Sequence, residues 1–474
     1  MLRLMETGGL TELQRDILRA VSEFVDAEII PVAGDLDRSD SYPDQIVAGL
    51  AELGVFGLTI EEAYGGLGES LLTYALVAEE IARGWMSISG IINTHFIVAY
   101  LIGRHGTAEQ KATFLPKMAT GEIRGAFSMS EPGLGSDVAA IRTTARGDGD
   151  GYVISGQKMW LTNGASANLV ALLARTSEGA DRVHRNLTAF LIEKDSGFGQ
   201  TRPGLTVPGK IPKMGYKGVD TTELLLDSCR VPANRVLGER AGQGFYQMMD
   251  GIEVGRVNVA ARACGVAHRA FELAIGYAQQ RQAFGKPIAQ HQAIEFKLAE
   301  MGTKVVAAHQ MMVMAARHKD QGRQSDLEAG MAKYLASEYA KEVVEDALRI
   351  HGGYGYSQEY EIERLYRDVP MLLIGEGTAE IQKMIIGHRL LDRFRITPSL
   401  SANFPADSGT GWGPGPGRLT ARVGFRAGHR PWTGSRRQLR RAATHRSTTL
   451  ARFCHRGSCR RLGPHPVPGA APAA

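Results

Sequence analysis

A double switch in hydrophobic period limits the fold of this chain more than any other feature. Up to about residue 122, apolar residues recur at helical spacing. In "LTELQRDILRAVSEFVDAEIIP", Leu13, Ile17, Val21, Phe24 and Val25 form one stripe. Thr11 is expected to cap this helix, with Gln14 completing only half of a capping box, and Pro31 is expected to stop it. From about 123 to 234 the runs become short and β-rich: "GYVISGQKMWLT", "NLVALLART", "NLTAFLIEK" and "TELLLDSCRVP", punctuated by "GDGDG" and "KDSGFG". Helical spacing returns from 240 to 395, in longer runs. One of them aligns Ile294, Leu298, Met301, Val305, Ala308, Met312 and Ala315, and "HGGYG" offers glycines for a left-handed cap to the next. The expected fold is mainly α with a small central β domain. It comprises a helical domain over 1–122, an antiparallel β domain over 123–234 and an antiparallel helical bundle over 235–395. This order excludes a doubly wound sheet, and the sequence holds no Walker motif, no G-x-S-x-G and no G-x-G-x-x-G after a strand.

Charge separates the remaining segment, 396–474, from the rest. Residues 397–474 carry thirteen Arg, no Lys and a single acid, Asp407, a net of +12. The whole chain carries +5, so the other 396 residues carry −7. The body is mildly acidic and gives no sign of nucleic-acid binding. The tail, rich in Gly, Pro and Ala without periodicity, reads as disorder or as an out-of-frame GC-rich translation. Its "CHRGSC" with His465 matches no standard zinc spacing, so no metal is expected. Four cysteines do not make a disulfide framework, and "MLRLMETGGLTELQRD" has no leader-like apolar core. With no stretch near the ~20 apolar residues of a membrane span, a cytoplasmic protein is expected.

Several motifs could carry chemistry. "AFSMSEPGLGSD" places Ser128, Ser130, Gly133, Gly135 and Ser136 at the junction of the helical and β segments, as a ligand nest or as a plain interdomain turn. In "KMWLTNG", period two puts Trp160 and Thr162 on one face, as a wall for a flat ring or as β core. "GIEVGRVNVAARACGVA" is rich in small residues for close helix packing, and Arg256 before them is either solvated or an arm to a ligand. Arg281 in "RQAFGKPI" sits where a helix ends and its dipole favours a cation. Glu376 in "MLLIGEGTAEIQ" precedes a helix capped by Thr378 or Gly377. It is a dipole-favoured acid or, held against Met371–Ile374, a tuned base.

Taken in this order, "SMSEPGLGSD", "GQKMWLTNG", "RQAFGKPI", "RIHGGYGY" and "GEGTAEIQ" resemble the acyl-CoA dehydrogenase family over about residues 10–395. The resemblance implies a C-terminal four-helix bundle, a bound FAD and oxidation of an acyl-CoA thioester to the trans-2-enoyl-CoA. Glu376 would take the α-proton while the β-hydrogen leaves as hydride to flavin N5. Phe127, Met129, Ser130, Gly135, Ser136, Trp160 and Thr162 would line the flavin, and Thr378 and Glu380 the adenosine. Arg281, Phe284, Gln292, Arg349, Gly352 and Gly353 would reach the FAD of a neighbouring subunit, implying a homo-oligomer, a dimer or a homotetramer. Ser136, Glu253 and Arg256 match acyl-CoA contacts, although the family usually has Asp where Glu253 stands. Some relatives carry the base at the place of Gly255, which cannot serve here. Straight-chain members often have Tyr where Gly375 stands, so a site tolerant of branching beside the thioester is expected. Electrons would leave to an electron-transfer flavoprotein. The rivals are an acyl-CoA oxidase-type enzyme and a DNA-binding relative that uses the basic tail.

Overall fold

The computed structural model describes Leu4, residues 7–176 and residues 183–395. The tail motif with His465 lies outside the described residues. Six helices come first: α1 (Glu12–Phe24), α2 (Ile30–Ser39), α3 (Asp44–Glu52), α4 (Leu71–Gly84), α5 (Met86–His105) and α6 (Ala108–Ala119). The α1 capping box is complete, since Thr11 accepts from the Gln14 N–H and Gln14 accepts from the Thr11 N–H. Pro31 does not stop the chain. A π-helical turn, Val25–Ile29, passes directly into α2, and Pro31 falls in its first turn, where its missing N–H is not needed. Helix α5 is also longer and more apolar than expected. It meets the length and composition of a membrane span, yet nearly all of it is buried within the protein.

The β domain has β1 (Gly125–Ser128), β2 (Thr144–Asp148), β3 (Gly151–Thr162), β4 (Leu169–Arg175), β5 (Leu187–Glu193), β6 (Gly199–Arg202), β7 (Leu205–Val207) and β8 (Thr221–Pro232). The sheet runs β1-β4-β2-β3-β8-β7-β6, with β5 on β4. It is not wholly antiparallel, because β1 pairs with β4 in parallel. The register shifts between Lys158 and Leu161 in β3, so the strict alternation assumed for Trp160 and Thr162 fails there.

The C-terminal helices are α7 (Gly244–Gln280), α8 (Gln292–Asp320), α9 (Asp326–His351), α10 (Ile362–Ile374) and α11 (Ala379–Arg393). A small hairpin, β9 (Gln282–Ala283) with β10 (Lys286–Pro287), joins α7 to α8. Met301, Val305, Ala308, Met312 and Ala315 are buried as the α8 stripe requires, and Ile294 and Leu298 pack at its edge. Alanines and Gly265 line α7 because α4 lies against it, and a Cβ on Gly265 would come 2.1 Å from the Glu79 carbonyl oxygen. Gly352 ends α9 with φ 60° and ψ −133°, a positive-φ glycine but not the left-handed cap anticipated.

Candidate active site

Helix α10 stops at Gly375, and the chain turns through Glu376 and Gly377 into α11. Thr378 caps α11, its Oγ1 accepting from the Ile381 N–H at 3.4 Å. Glu376 has φ 55°, a left-handed backbone that a side chain disfavours. Lys333 of α9 holds this turn in place, its Nζ donating to the carbonyls of Gly377 at 2.7 Å and Leu373 at 3.3 Å.

The turn aims the Glu376 carboxylate inward, and its side chain is 19% exposed. Asn93 of α5 donates to Oε1 at 2.5 Å, and Nη2 of Arg262 lies 3.6 Å from the same oxygen. Oε2 is buried with no partner. It fits against α7 because Gly255 has no side chain: a Cβ there would lie 2.1 Å from Oε2 and 2.9 Å from Cδ1 of Ile97. Gly255 is therefore the space in which the carboxylate sits. Burial pushes the Glu376 carboxyl above its ordinary value, against the pull of Arg262, Asn93, Lys333 and Arg256. Of the expected apolar wall Met371–Ile374, Leu372 is buried and Met371 packs against the core. Ile374 is exposed and is not part of it, and Ile97 stands on the Gly255 side of the carboxylate.

A chain of contacts leads from Glu376 to the sheet. Nη1 of Arg262 donates to the Tyr216 hydroxyl at 3.3 Å, and Tyr216 also hydrogen-bonds Thr162 at the end of β3. Thr162 and Glu376 thus belong to one site, joined by two residues that sequence reasoning passed over. Trp160, on the bulge with φ 63°, is 56% exposed and is not β core. Met129 and the Ser128 side chain are buried, and Ser128 Oγ has no partner. Buried Lys158 donates to the Met129 carbonyl and to Glu131, fixing the entry to the "EPGLGS" turn. In that turn Gly135 and Ser136 are exposed, and nothing lies within 4 Å of a Cβ on Gly133 or Gly135.

A second group gathers where α7 and α9 end. Arg281, Gly352, Gly353 and Tyr354 line a cavity of about 570 Å³ with Tyr277 and Ile288. Arg281 is the cap residue just beyond α7, and its guanidinium lies over the Tyr354 ring at 5.6 Å. Phe284 is 96% exposed, Gln292 is exposed, and Arg349 pairs with Glu345 on the same helix. Glu253 and Arg256 line another cavity, of about 680 Å³, with Tyr246, Gln324 and His388. Glu253 accepts from the Ser325 hydroxyl at 2.6 Å and from Lys319 at 3.1 Å, while Arg256 is buried with an unpartnered Nε. Glu380 is exposed in the first turn of α11.

These groups suit FAD. The sheet side offers the unpartnered Ser128 hydroxyl and an exposed Trp160, for a flat polar-edged ring. The helical side offers Arg281 and open backbone at Gly352 and Gly353, for phosphate. No group of His, Cys, Asp and Glu able to hold a metal occurs among the described residues.

The chain matches three family models: "Acyl-CoA dehydrogenase, N-terminal domain" over residues 11–122, "middle domain" over 126–229 and "C-terminal domain" over 242–391. It is 42% identical over 390 residues to a (2S)-methylsuccinyl-CoA dehydrogenase of Cereibacter sphaeroides, covering 81% of this chain and 71% of that one. Its fold is similar to butyryl-CoA dehydrogenase from Megasphaera elsdenii, with a TM-score of 0.77 at 35% identity over 82% of this chain and all of that one. A glutaryl-CoA dehydrogenase from Mycobacterium smegmatis, solved in complex with FADH2, matches with a TM-score of 0.74 at 28% identity, covering 81% of this chain and 95% of that one.

Proposed function

The chain belongs to the acyl-CoA dehydrogenase family of FAD-dependent oxidoreductases, and from that premise we propose that it oxidises a short or branched acyl-CoA to the trans-2-enoyl-CoA, with Glu376 as the base. One observation carries this reading: a buried carboxylate with one oxygen unpartnered, seated in the space left by Gly255. The α-proton of a thioester is weakly acidic. Its removal needs a base raised toward the working pH and donors that stabilise the developing enolate. Burial raises Glu376, and Asn93 and Arg262 fix Oε1 while Oε2 stays free for the proton. The Glu376 N–H at the turn is the protein's donor toward the thioester oxygen. FAD, when bound, supplies the acceptor for the two electrons and the β-hydrogen.

Phe127–Ser130, Trp160 and Thr162 would hold the ring of the cofactor. Arg281, Phe284, Gln292, Gly352 and Gly353 would engage the cofactor of a neighbouring copy, making the working form a homo-oligomer. The almost fully exposed Phe284 and Tyr356 beside that cavity support this. An electron-transfer flavoprotein is the proposed acceptor. A reducing, cytoplasmic setting suits the unpaired Cys229 and Cys264. A branched substrate is supported by Gly375, which places no side chain next to Glu376, and by the methylsuccinyl-CoA named for the relative above.

The test is Glu376→Gln in the FAD-loaded protein. It should retain FAD and lose nearly all anaerobic flavin bleaching by short acyl-CoAs. Bleaching at the wild-type rate would remove Glu376 from the role.

A further inference from the structure

Arg262 and Glu376 carry opposite charges in one buried site, yet they do not close on each other. Nη2 of Arg262 stands 3.6 Å from Oε1 of Glu376, beyond a good hydrogen bond. Arg262 is 2% exposed, so solvent does little to screen the pair. Such groups, left free, approach to about 2.8 Å. Something holds these two apart.

The restraint lies on the other prong of the guanidinium, where Nη1 donates to the Tyr216 hydroxyl at 3.3 Å. Tyr216 cannot follow the arginine toward the acid. Its hydroxyl sits in a notch at Gly90 of α5, where a Cβ would lie 1.7 Å from the oxygen. That hydroxyl is also hydrogen-bonded to Thr162 at the end of β3. The Tyr216 N–H donates to Oδ1 of Asp368 on α10 at 2.5 Å. Its backbone has φ 54°, a left-handed conformation that persists only where the surroundings fix it. Gly215 before it lies on α10 so closely that a Cβ would come 2.1 Å from the Arg367 carbonyl oxygen. The tyrosine is thus fastened to α5, β3 and α10 together. Glu376 is fastened from its own side, by Asn93 at Oε1 and by Lys333 at the turn. Closing the gap would gain Coulomb energy of the order of one hydrogen bond to a charged donor, so a single rigid hydroxyl is enough to keep it open. The chemistry is served by the gap, because a cation in full contact weakens a carboxylate as a proton acceptor.

We propose that Tyr216 is a positioning residue for the base: its hydroxyl holds Arg262 back from Glu376 and keeps the carboxylate out of a closed ion pair. The catalytic meaning rests on Glu376 being the base, whereas the gap can be measured without it. Other groups face the same carboxylate, namely Arg256 of α7, Lys333 of α9 and Tyr74 of α4. Lys213 lies over the Tyr216 ring at 5.8 Å. Removing one hydroxyl leaves all of these, and Asp368, in place.

The experiment is an infrared titration of the Glu376 carboxyl in the FAD-loaded full chain, its signal identified as the one that Glu376→Gln removes. Tyr216→Phe should move the titration to lower pH by about one unit. Arg262→Gln should move it to higher pH, and the double variant should match Arg262→Gln alone. In Tyr216→Phe the acid limb of anaerobic flavin bleaching should move down with it, and the plateau rate should fall about 3- to 10-fold at little change in acyl-CoA affinity. A tyrosine that merely packs would lower the Tm and leave the titration where it was. A titration unmoved or raised in Tyr216→Phe overturns the proposal. So does a wild-type Glu376 that titrates below the ordinary carboxylate range, since the pair would then already be closed, and that result needs no variant to fold. Wild-type bleaching by Glu376→Gln would instead sink the reading of the base, while the titrations would still decide the gap.

Discussion

Gly255→Ala tests the seat of the Glu376 carboxylate most directly. The added Cβ would stand 2.1 Å from Oε2, where normal contact is ~3.5 Å. The carboxylate must therefore retreat by about 1.4 Å, or Ile97 and the turn must give way. A misplacement of ~1 Å at a reacting group lowers rate about 100-fold, or about 2.7 kcal/mol of activation free energy. The fold should tolerate the change, because Ala in a helix interior is favoured over Gly by ~1 kcal/mol, which offsets much of the local crowding. The assay is anaerobic stopped-flow reduction of the flavin by a saturating acyl-CoA, beside a thermal melt. The expected outcome is a Tm within a few degrees of wild type and reduction slowed by about two orders of magnitude. A rate within threefold of wild type would refute the argument, since the carboxylate would not then depend on the space at Gly255. Moving the acid across the gap, as Gly255→Glu with Glu376→Gly, should recover part of the lost rate if the two positions face one substrate atom.

Two further outcomes follow from the charged groups. Asn93→Ala removes the hydrogen bond that stabilises ionised Glu376. The base acts only when ionised, so activity is lost as pH falls through its folded pKa, and the variant should lose activity at higher pH than wild type. The cations facing it from α7 and α9 (Arg256, Arg262 and Lys333) stay in place, as do Tyr74 and Tyr216. A pH profile of flavin reduction whose acid limb stays put or moves to lower pH would contradict this. Asp368, buried and beside Asp37, is pushed up to about 7 from 3.8. Folded protein then binds the proton more tightly than unfolded protein, so stability falls as pH rises from about 4 to 7, and the penalty is complete above 7. Asp368→Asn, which can still accept from the Tyr216 N–H, should raise stability at pH 8 by roughly 2–4 kcal/mol and by little at pH 4. Equal gains at both values, read by urea melts, would rule the account out.

The helices and the acid at 376 were legible because periodicity and glycine punctuation are local signals. The α8 stripe and the Thr378 cap are where their spacing puts them. Pro31 misled because a proline stops a helix interior but not a first turn, and a π-helical turn before it is not written in any pattern of residue types. Trp160 misled because a bulge resets the faces of a strand. Arg262 was in plain view within "VAARACG", but a run of small residues reads as packing, and the eye takes the lone cation as incidental. Asn93, Tyr216 and Lys333 lie 43 to 283 residues from Glu376 in sequence and come to it only through the tertiary fold. A charged residue inside a stripe of alanines is the signal that could have found two of them, Arg262 and Lys333.

The left-handed backbone at Glu376 bears on how this chain would respond to selection. Glycine at that position would relieve ~1–2 kcal/mol of conformational strain and remove a buried carboxylate. On the role proposed for Glu376, a laboratory screen for heat resistance alone would therefore drift toward replacing the acid, enriching sturdier proteins that no longer turn over. Any stabilisation campaign needs an activity filter at this one codon.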